Sequence, residues 1–386
     1  MAEVITPEIV DTTSLRSLLE DLTAPVLTIA FPTTRAAVRP EENATKLKSA
    51  RRAAVKELER AGLDGEEVEA HLEPLAGLLA DTELWLHQLD GLVLHVAAGG
   101  AVRLHRTPHA VEERVVAGQA PLITPLLAGL AEAGRFAVLA ISQDHVRLLD
   151  ATQTTVEAID LAARGVPTSV ADLPGDDEPA ELQHHTAGRG GDPAVFHGHE
   201  RPDFDRLRTD RLFRAVDAAL PSLLPPTAPL VLAGVEENVA HYRAVSDWPR
   251  IVDGAVTGDP EHRRDAELRD AAWLHVVDVL RSPVDATLEA YRAQVGTGLA
   301  TSDLGEILKA GLASRIGTLL VADGARAFGT LDELGSVALR HGPPEPGDLD
   351  LVDAAARLTI SRGGQALGVP ASDLPAGDEV VALLRF

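Results

Sequence analysis

From Val166 to Pro202 the chain loses hydrophobic periodicity and becomes a run rich in Gly, Pro, Asp and His, with strand-like and helix-like segments resuming on both sides. A structureless stretch of that length inside a compact domain is either functional or disordered. It must hang from a scaffold built by its flanks. Upstream, PLITPLLAGLAEAG has a helical period, and FAVLAIS and HVRLLDA read as two strands joined by a turn at Gln143-Asp144. Downstream, Leu207 to Leu220 is helical, and APLVLAGV is the continuous apolar run of a buried strand. The alternation predicts a mixed α/β segment over 126–280, a sheet covered by helices and carrying the Gly-rich stretch as a loop.

Two further segments flank it, so the expected architecture has three domains, 1–125, 126–280 and 281–386. The first has a short helix over Leu15 to Leu22 and a strand, VLTIAFPT. A charged helix over Glu42 to Arg60 and a more apolar one over Glu66 to Leu79 follow. It ends in LVLHVAAGGAVRLHRT, two alternating runs joined at Gly99-Gly100, which is a hairpin signal. The last segment has helices over Val284 to Gln294 and Leu304 to Ala313, a strand GTLLVAD, and a helix over Asp348 to Arg357. LTI and VVALLRF are expected as closing strands, and HGPPEPGD is a loop.

Composition excludes several classes. Zero cysteines rule out disulfides, thiolate metal sites and cysteine nucleophiles together. No apolar run is long enough to span a bilayer as a helix, and MAEVITPEIVDTT lacks the basic-then-apolar order of a signal peptide. The cytoplasm is therefore the expected compartment, with no membrane partner. The net charge of −24 argues against a protein that coats DNA or RNA nonspecifically, because such proteins neutralise phosphates with an excess of Lys and Arg. It leaves room for a protein that meets RNA through a few local arginines. There is no Walker loop, no dinucleotide fingerprint after a strand and no Gly-x-Ser-x-Gly elbow, and Gly296-Thr297-Gly298 is a helix break. No cofactor is expected.

Within the long stretch, residues 184–213 read HHTAGRGGDPAVFHGHERPDFDRLRTDRLF. Gly190 and Gly191 lack β-carbons, which permits positive φ and close approach of the backbone to another surface. This Gly-Arg-Gly-Gly loop, followed by an apolar segment and a charged helix, resembles the middle domain of archaeal and eukaryotic peptide-chain release factors. FAVLAISQDHVRLLDA resembles the opening hairpin of that domain, and PLVLAGVEENVAHYR its later strand and helix. GLASRIGTLLVADGARAFG and the terminal VALLRF resemble the third domain, a small α/β sandwich shared with kink-turn RNA-binding proteins. The chain thus looks like a bacterial branch of the release factor and Pelota superfamily, which includes a bacterial hibernation factor.

The resemblance implies a ribosomal A-site factor acting in hibernation or rescue. Its partners would be ribosomal RNA, the P-site tRNA and a translational GTPase met through the last domain. Gly188, Arg189, Gly190 and Gly191 stand as in the family loop, but Asp192 occupies the place of the catalytic glutamine. An ionised carboxylate has no hydrogen to donate and is one methylene shorter. Pro193 also restricts Asp192 to extended conformations. The loop is therefore expected to lack strong hydrolase activity. A carboxylate acting as general base on water keeps open an alternative, a peptidyl-tRNA hydrolase. A third reading is a protein-binding module outside the ribosome, which suits the acidity.

The candidate RNA-binding residues are Arg189, His197, His199, Arg206, Arg208 and Arg211. The arginines alternate with Asp203, Asp205 and Asp210, a pattern that equally describes an exposed helix laced with ion pairs. His184, His185, His197 and His199 have His-x-His spacing in one pair, but no acidic or sulfur ligand joins them, and no metal is expected. Lys46, Lys48, Arg51, Arg52 and Lys56 form the one lysine cluster, either a plain solvated face or an approach to RNA. Arg362-Gly363-Gly364-Gln365 spells the release-factor tripeptide near the C-terminus, but its place between LTIS and ALGV reads as a hairpin turn.

Overall fold

The computed structural model describes the chain apart from residues 1–3, 6–11, 35–39, 87, 132–133, 143–144, 174–200, 226–227, 333–334 and 346. The chain divides into two compact units, residues 1–133 with 280–386, and residues 134–279. The expected first and last segments fall together. Leu15, Leu18, Ala30 and Val93 share a hydrophobic core with Leu308, Leu320 and Val352.

The N-terminal part of the first unit is a five-stranded sheet with helices. Its strands are β1 (Val4–Ile5), β2 (Val26–Pro32), β3 (Gly91–Ala97), β4 (Val102–Thr107) and β5 (Arg114–Gly118), in the order β1-β4-β3-β2-β5. Helices α1 (Thr12–Asp21), α2 (Pro40–Arg60), α3 (Gly65–Ala80) and α4 (Thr82–Leu86) interleave with them, and α5 (Thr124–Ala131) follows. β2 is buried almost throughout because both its faces are covered. Leu27, Ile29 and Phe31 pack with Leu47, Ala50, Ala54 and Leu58 of α2 and Leu72 and Leu75 of α3. Ala30, of opposite parity, packs with Leu15 and Leu18 of α1. The β3–β4 hairpin turns through Gly99 and Gly100, at φ of 87° and 86°, as their lack of a side chain permits.

The second unit has strands β6 (Phe136–Ile141), β7 (Val146–Ala151), β8 (Val156–Ile159), β9 (Leu230–Gly234) and β10 (Ile251–Thr257), in the order β10-β9-β6-β7-β8. β6 and β7 form an antiparallel hairpin, whereas β6, β9 and β10 run parallel. Parallel neighbours need crossovers, supplied by α6 (Arg201–Leu223) and α7 (Glu236–Val245). Leu212, Phe213, Val216 and Leu220 of α6 fill the core against Leu139, Ile141 and Leu232. Asp217 knots α6 to α7, accepting hydrogen bonds from the Tyr242 hydroxyl at 3.1 Å, the Ser246 hydroxyl and the Asp247 amide at 2.9 Å. β10 carries a register shift between Ile251 and Ala255, held by Arg243, which donates to the carbonyls of Val252, Asp253 and Gly254.

A 30-residue helix, α8 (Asp265–Gln294), passes through Pro283, where the sequence suggested a helix beginning only near Val284. Beyond it, β11 (Ala300–Thr301), β12 (Ile316–Ala322), β16 (Gln365–Val369) and β17 (Val380–Leu384) form a sheet in the order β11-β17-β12-β16. A smaller sheet contains β13 (Phe328–Leu331), β14 (Val337–Leu339) and β15 (Leu349–Asp350). Helices α9 (Leu304–Leu312) and α10 (Leu351–Ser361) complete this part. α10 corrects the sequence reading, because LTI continues the helix instead of forming a strand. Its buried residues run from Leu351 to Ala356 and resume at Thr359 and Ile360, one turn on, and this burial overrides the local β-propensity of Thr359 and Ile360.

α5, expected at the start of the middle segment, belongs to the first unit and packs on β16. A β-carbon at Gly368 would come within 2.4 Å of the Ala128 amide nitrogen, so only glycine permits this approach. The buried carboxylate of Asp353 on α10 fixes the start of α5, accepting from the amides of Ile123 at 2.7 Å and Thr124 at 3.0 Å. It also accepts from Arg357 Nε at 2.8 Å.

Candidate functional site

Gly188, Arg189, Gly190, Gly191, Asp192, His197 and His199 lie outside the described residues, as do His184 and His185. What the structure gives is the frame on which that segment hangs. On its N-terminal side, the chain leaves β8 through two 3-10 turns. The second is tied by Asp172, whose carboxylate accepts from the amides and hydroxyls of Thr168 and Ser169 at 2.8–3.1 Å. Those hydrogen bonds hold the Asp172 carboxyl below its ordinary range. Val170 and Leu173 enter the core of the second unit, so the entry to the stretch is anchored.

On the C-terminal side stands α6. Among its described side chains the first to reach the core is Leu212. Arg208, Thr209 and Asp210, just before it, are half-buried. The whole 23-residue helix measures roughly 35 Å, about twice the length of the five-residue strand β9 that follows it. The stretch is thus flanked on one side by anchored turns and on the other by α6, whose described core side chains begin at Leu212.

The structure divides the arginines of this helix. Arg206 and Arg211 are exposed and Arg208 is half-buried. At 100° per residue Arg208 and Arg211 sit one turn apart on one side, while Arg206 lies on another. Arg214 is an ion-paired residue, its Nε donating to Asp210 at 2.8 Å. That hydrogen bond, foremost, lowers the Asp210 carboxyl. His241 approaches the same carboxylate at 3.4 Å and meets the Phe213 ring edge-on at 5.1 Å between centroids.

A cavity of about 200 Å³ lies at the carboxyl edge of the parallel strands, lined by Ser142, His145, Arg147, Pro260 and Glu261. Sequence reading did not single it out, because its residues come from turns more than a hundred positions apart. Carboxyl edges of parallel strands are common ligand sites, and Ser, His and Glu are nucleophile-triad types. The geometry does not assemble a triad. The Ser142 hydroxyl donates to the His145 carbonyl at 3.1 Å and accepts from the His145 amide, so it serves the turn and not the imidazole. Arg147 is spent on Asp265 at 2.7 Å and on the carbonyls of Pro260 and Arg263. In the first unit a cavity of about 220 Å³ includes Arg114 and Arg281 among its lining, each already bonded to a carboxylate, Asp350 and Asp373 respectively.

The tripeptide near the C-terminus is a helix stop. The Gly363 amide donates to the Ile360 carbonyl and the Gly364 amide to the Thr359 carbonyl, with Gly363 at φ 76°. This is left-handed C-capping, for which glycine is the usual residue. The hairpin expected there is a helix-to-strand turn, with Gln365 as the exposed first residue of β16. The lysine cluster also separates. Lys46 donates to the Pro32 carbonyl at 2.7 Å and Arg51 pairs with Glu69 at 3.2 Å, while Lys48, Arg52 and Lys56 are exposed.

Comparison with known families bears on this frame. A model of "Bacterial archaeo-eukaryotic release factor family 3" matches residues 135–315, just under half of the chain. Residues 135–315 are similar to that family. The match includes α6 and the Gly-rich segment, and so supports the resemblance read from the sequence. A search of curated proteins finds no match.

Among solved structures, the archaeal translation termination factor aRF1 is 14% identical, covering 99% of both chains, at a TM-score of 0.24. Saccharomyces cerevisiae Dom34, a translation termination-like factor, is 10% identical, covering 77% of this chain and 74% of its own, at 0.38. Archaeoglobus fulgidus Pelota is 15% identical, covering 76% of this chain and 79% of its own, at 0.34. The likeness to release factor family 3 rests on the sequence of residues 135–315, not on these loose whole-chain overlays. Among the described residues, no helix is long and apolar enough to cross a membrane.

Proposed function

We propose that this release-factor-like chain occupies the ribosomal A site in hibernation or rescue without efficient peptide release. One observation carries the reading: within the family-matched segment, Gly188-Arg189-Gly190-Gly191 keeps the loop pattern while Asp192 replaces the glutamine. The charged helix that follows the loop supports it, since it completes the order of segments read from the sequence. Ribosomal RNA and the P-site tRNA are the proposed partners of the middle segment, through Arg189, His197, His199, Arg206, Arg208 and Arg211. A translational GTPase is the proposed partner of the last segment. The proposed working organisation has three functional parts, 1–125, 126–280 and 281–386.

Co-sedimentation with ribosomes from growing and stationary-phase cells tests this reading. The double variant Arg189→Glu, Arg208→Glu should bind more weakly, and its affinity should fall less steeply with salt, because each lost phosphate contact removes roughly 0.9 from the log–log slope. Unchanged association across a salt series would favour the second reading, a protein-binding module, to which the net charge of −24 lends support.

A further inference from the structure

Three of the positive charges singled out in the sequence of α2 have no structural task. Lys48, Arg52 and Lys56 are spaced i, i+4, i+8, so they form one stripe along the helix. All three are exposed, and none makes an ion pair or hydrogen bond with a described residue. The buried residues Asn43, Leu47, Ala50, Ala54 and Leu58 mark the opposite side of the same helix. At 100° per residue the centre of the stripe stands about 160° from the centre of that buried face. Its neighbours on α2 are therefore engaged elsewhere. Lys46 closes the end of β2, and Arg51 turns towards Glu69 of α3.

This concentration is unusual for the chain. Only four lysines occur in 386 residues, and the formal charge is −24, yet two of the four stand on this stripe with an arginine between them. Cations separated by one helical turn stand roughly 6 Å apart along the axis, and the three span roughly 12 Å. We infer that the Lys48–Arg52–Lys56 stripe of α2 is a contact surface for the phosphate backbone of structured RNA, separate in sequence from the Gly-rich segment.

The chemistry of the surroundings favours RNA over a protein partner. The exposed residues beside the stripe are Thr45, Ser49, Ala53 and, next to Lys56 at its end, the acidic Glu59, with no aromatic or large aliphatic side chain. Protein interfaces draw their energy from buried aromatic and Arg anchors and are depleted in Lys. A polyanion backbone needs only spaced, mobile cations and no apolar centre, and A-form RNA is recognised largely through shape and phosphate contacts. The acidity of the rest of the chain then confers selectivity, because RNA that reaches beyond the stripe meets repulsion.

The test uses the full-length chain and the variant Lys48→Gln, Arg52→Gln, Lys56→Gln, in which glutamine preserves helix propensity. The probes are a fluorescein-labelled RNA duplex of about 20 base pairs and a polyglutamate peptide, titrated separately over a low-salt series. Wild type should bind the duplex at least ~10-fold more tightly than the variant, with a log–log salt slope steeper by about 2.7 for three contacts. Thermal melting of the variant should match wild type, which separates lost binding from lost folding. Equal duplex binding by the two chains would overturn the inference. So would binding of polyglutamate in preference to duplex, which would assign the stripe to an acidic protein or to a second copy of this chain. Ribosome co-sedimentation is scored independently. A chain that binds duplex through the stripe but ignores ribosomes defeats the A-site reading and leaves this inference standing.

Discussion

His95 and His105 set an acid limit on the first unit. Both imidazoles are buried, 0% and 2% exposed, with ring centroids 5.5 Å apart in an edge-on arrangement. Burial pushes His95 down to about 4, against the opposing hydrogen bond to the Leu122 carbonyl at 2.9 Å. Burial, aided by His95 and Arg103, pushes His105 down to about 3. Unfolded, both would titrate near 6.5. The unfolded chain therefore binds more protons below that value, and stability is lost as pH falls from about 6.5 towards the folded values. At pH 5.5 each histidine should cost the folded state about tenfold in its equilibrium constant relative to pH 7.5, or about 1.4 kcal/mol. Denaturant midpoints at the two pH values measure the loss. Neither ring nitrogen of His105 has a hydrogen-bond partner among the described residues, so His105→Leu should be nearly neutral at pH 7.5 and should remove about half of the acid loss. Identical pH profiles for wild type and variant would show that these rings do not control the acid response.

At the scale of elements, glycine and helical period explain both what was legible in the sequence and what was not. Strong periodic signals held: β2, the β3–β4 hairpin, β6, β7 and β9 stand where alternation or apolar runs placed them. The errors fall where a tertiary contact overrides a local signal. The β-prone LTI is helical because Thr359 and Ile360 point into the core of the first unit, and α5 joins that unit because Asp353 caps it and Gly368 admits it. The candidate site was legible only as a pattern: the sequence marked the Gly-rich segment and its arginines, but not that Arg214 pairs with Asp210. Arg362-Gly363-Gly364-Gln365 shows the opposite hazard, a motif whose glycines answer to local geometry. A β-carbon on Gly364 would lie 2.7 Å from Thr359 Cγ2 and 2.8 Å from the Ile316 carbonyl oxygen. Gly364→Ala should therefore destabilise the first unit by about 2 kcal/mol, in the range for overpacking, while Gln365→Ala should leave its melting temperature unchanged. A tolerated alanine at 364 would contradict the close approach of α10 and β12.

For the whole molecule, the deciding question is whether a chain whose middle segment matches a release-factor family performs release chemistry. Its −24 charge disfavours broad RNA contact, so any ribosome association has to come from local cations such as Arg189, Arg208 and the stripe on α2. Ester hydrolysis at the peptidyl-tRNA bond demands more than association. A water must be placed against the carbonyl and the developing oxyanion must meet donors. Asp192 supplies no donor when ionised, and Pro193 narrows the conformations it can use. Wild-type protein should thus release little peptide from stalled ribosome complexes. Asp192→Gln restores a neutral amide and should raise release above wild type, though Pro193 limits the gain. Gln365→Ala is the control, because Gln365 begins β16 at the end of a helix cap; it should change neither binding nor release. Efficient release by wild type that Asp192→Ala abolishes would instead make Asp192 a general base and the chain a peptidyl-tRNA hydrolase. Loss on Gln365→Ala would move the chemistry to the C-terminal motif, against the geometry found there.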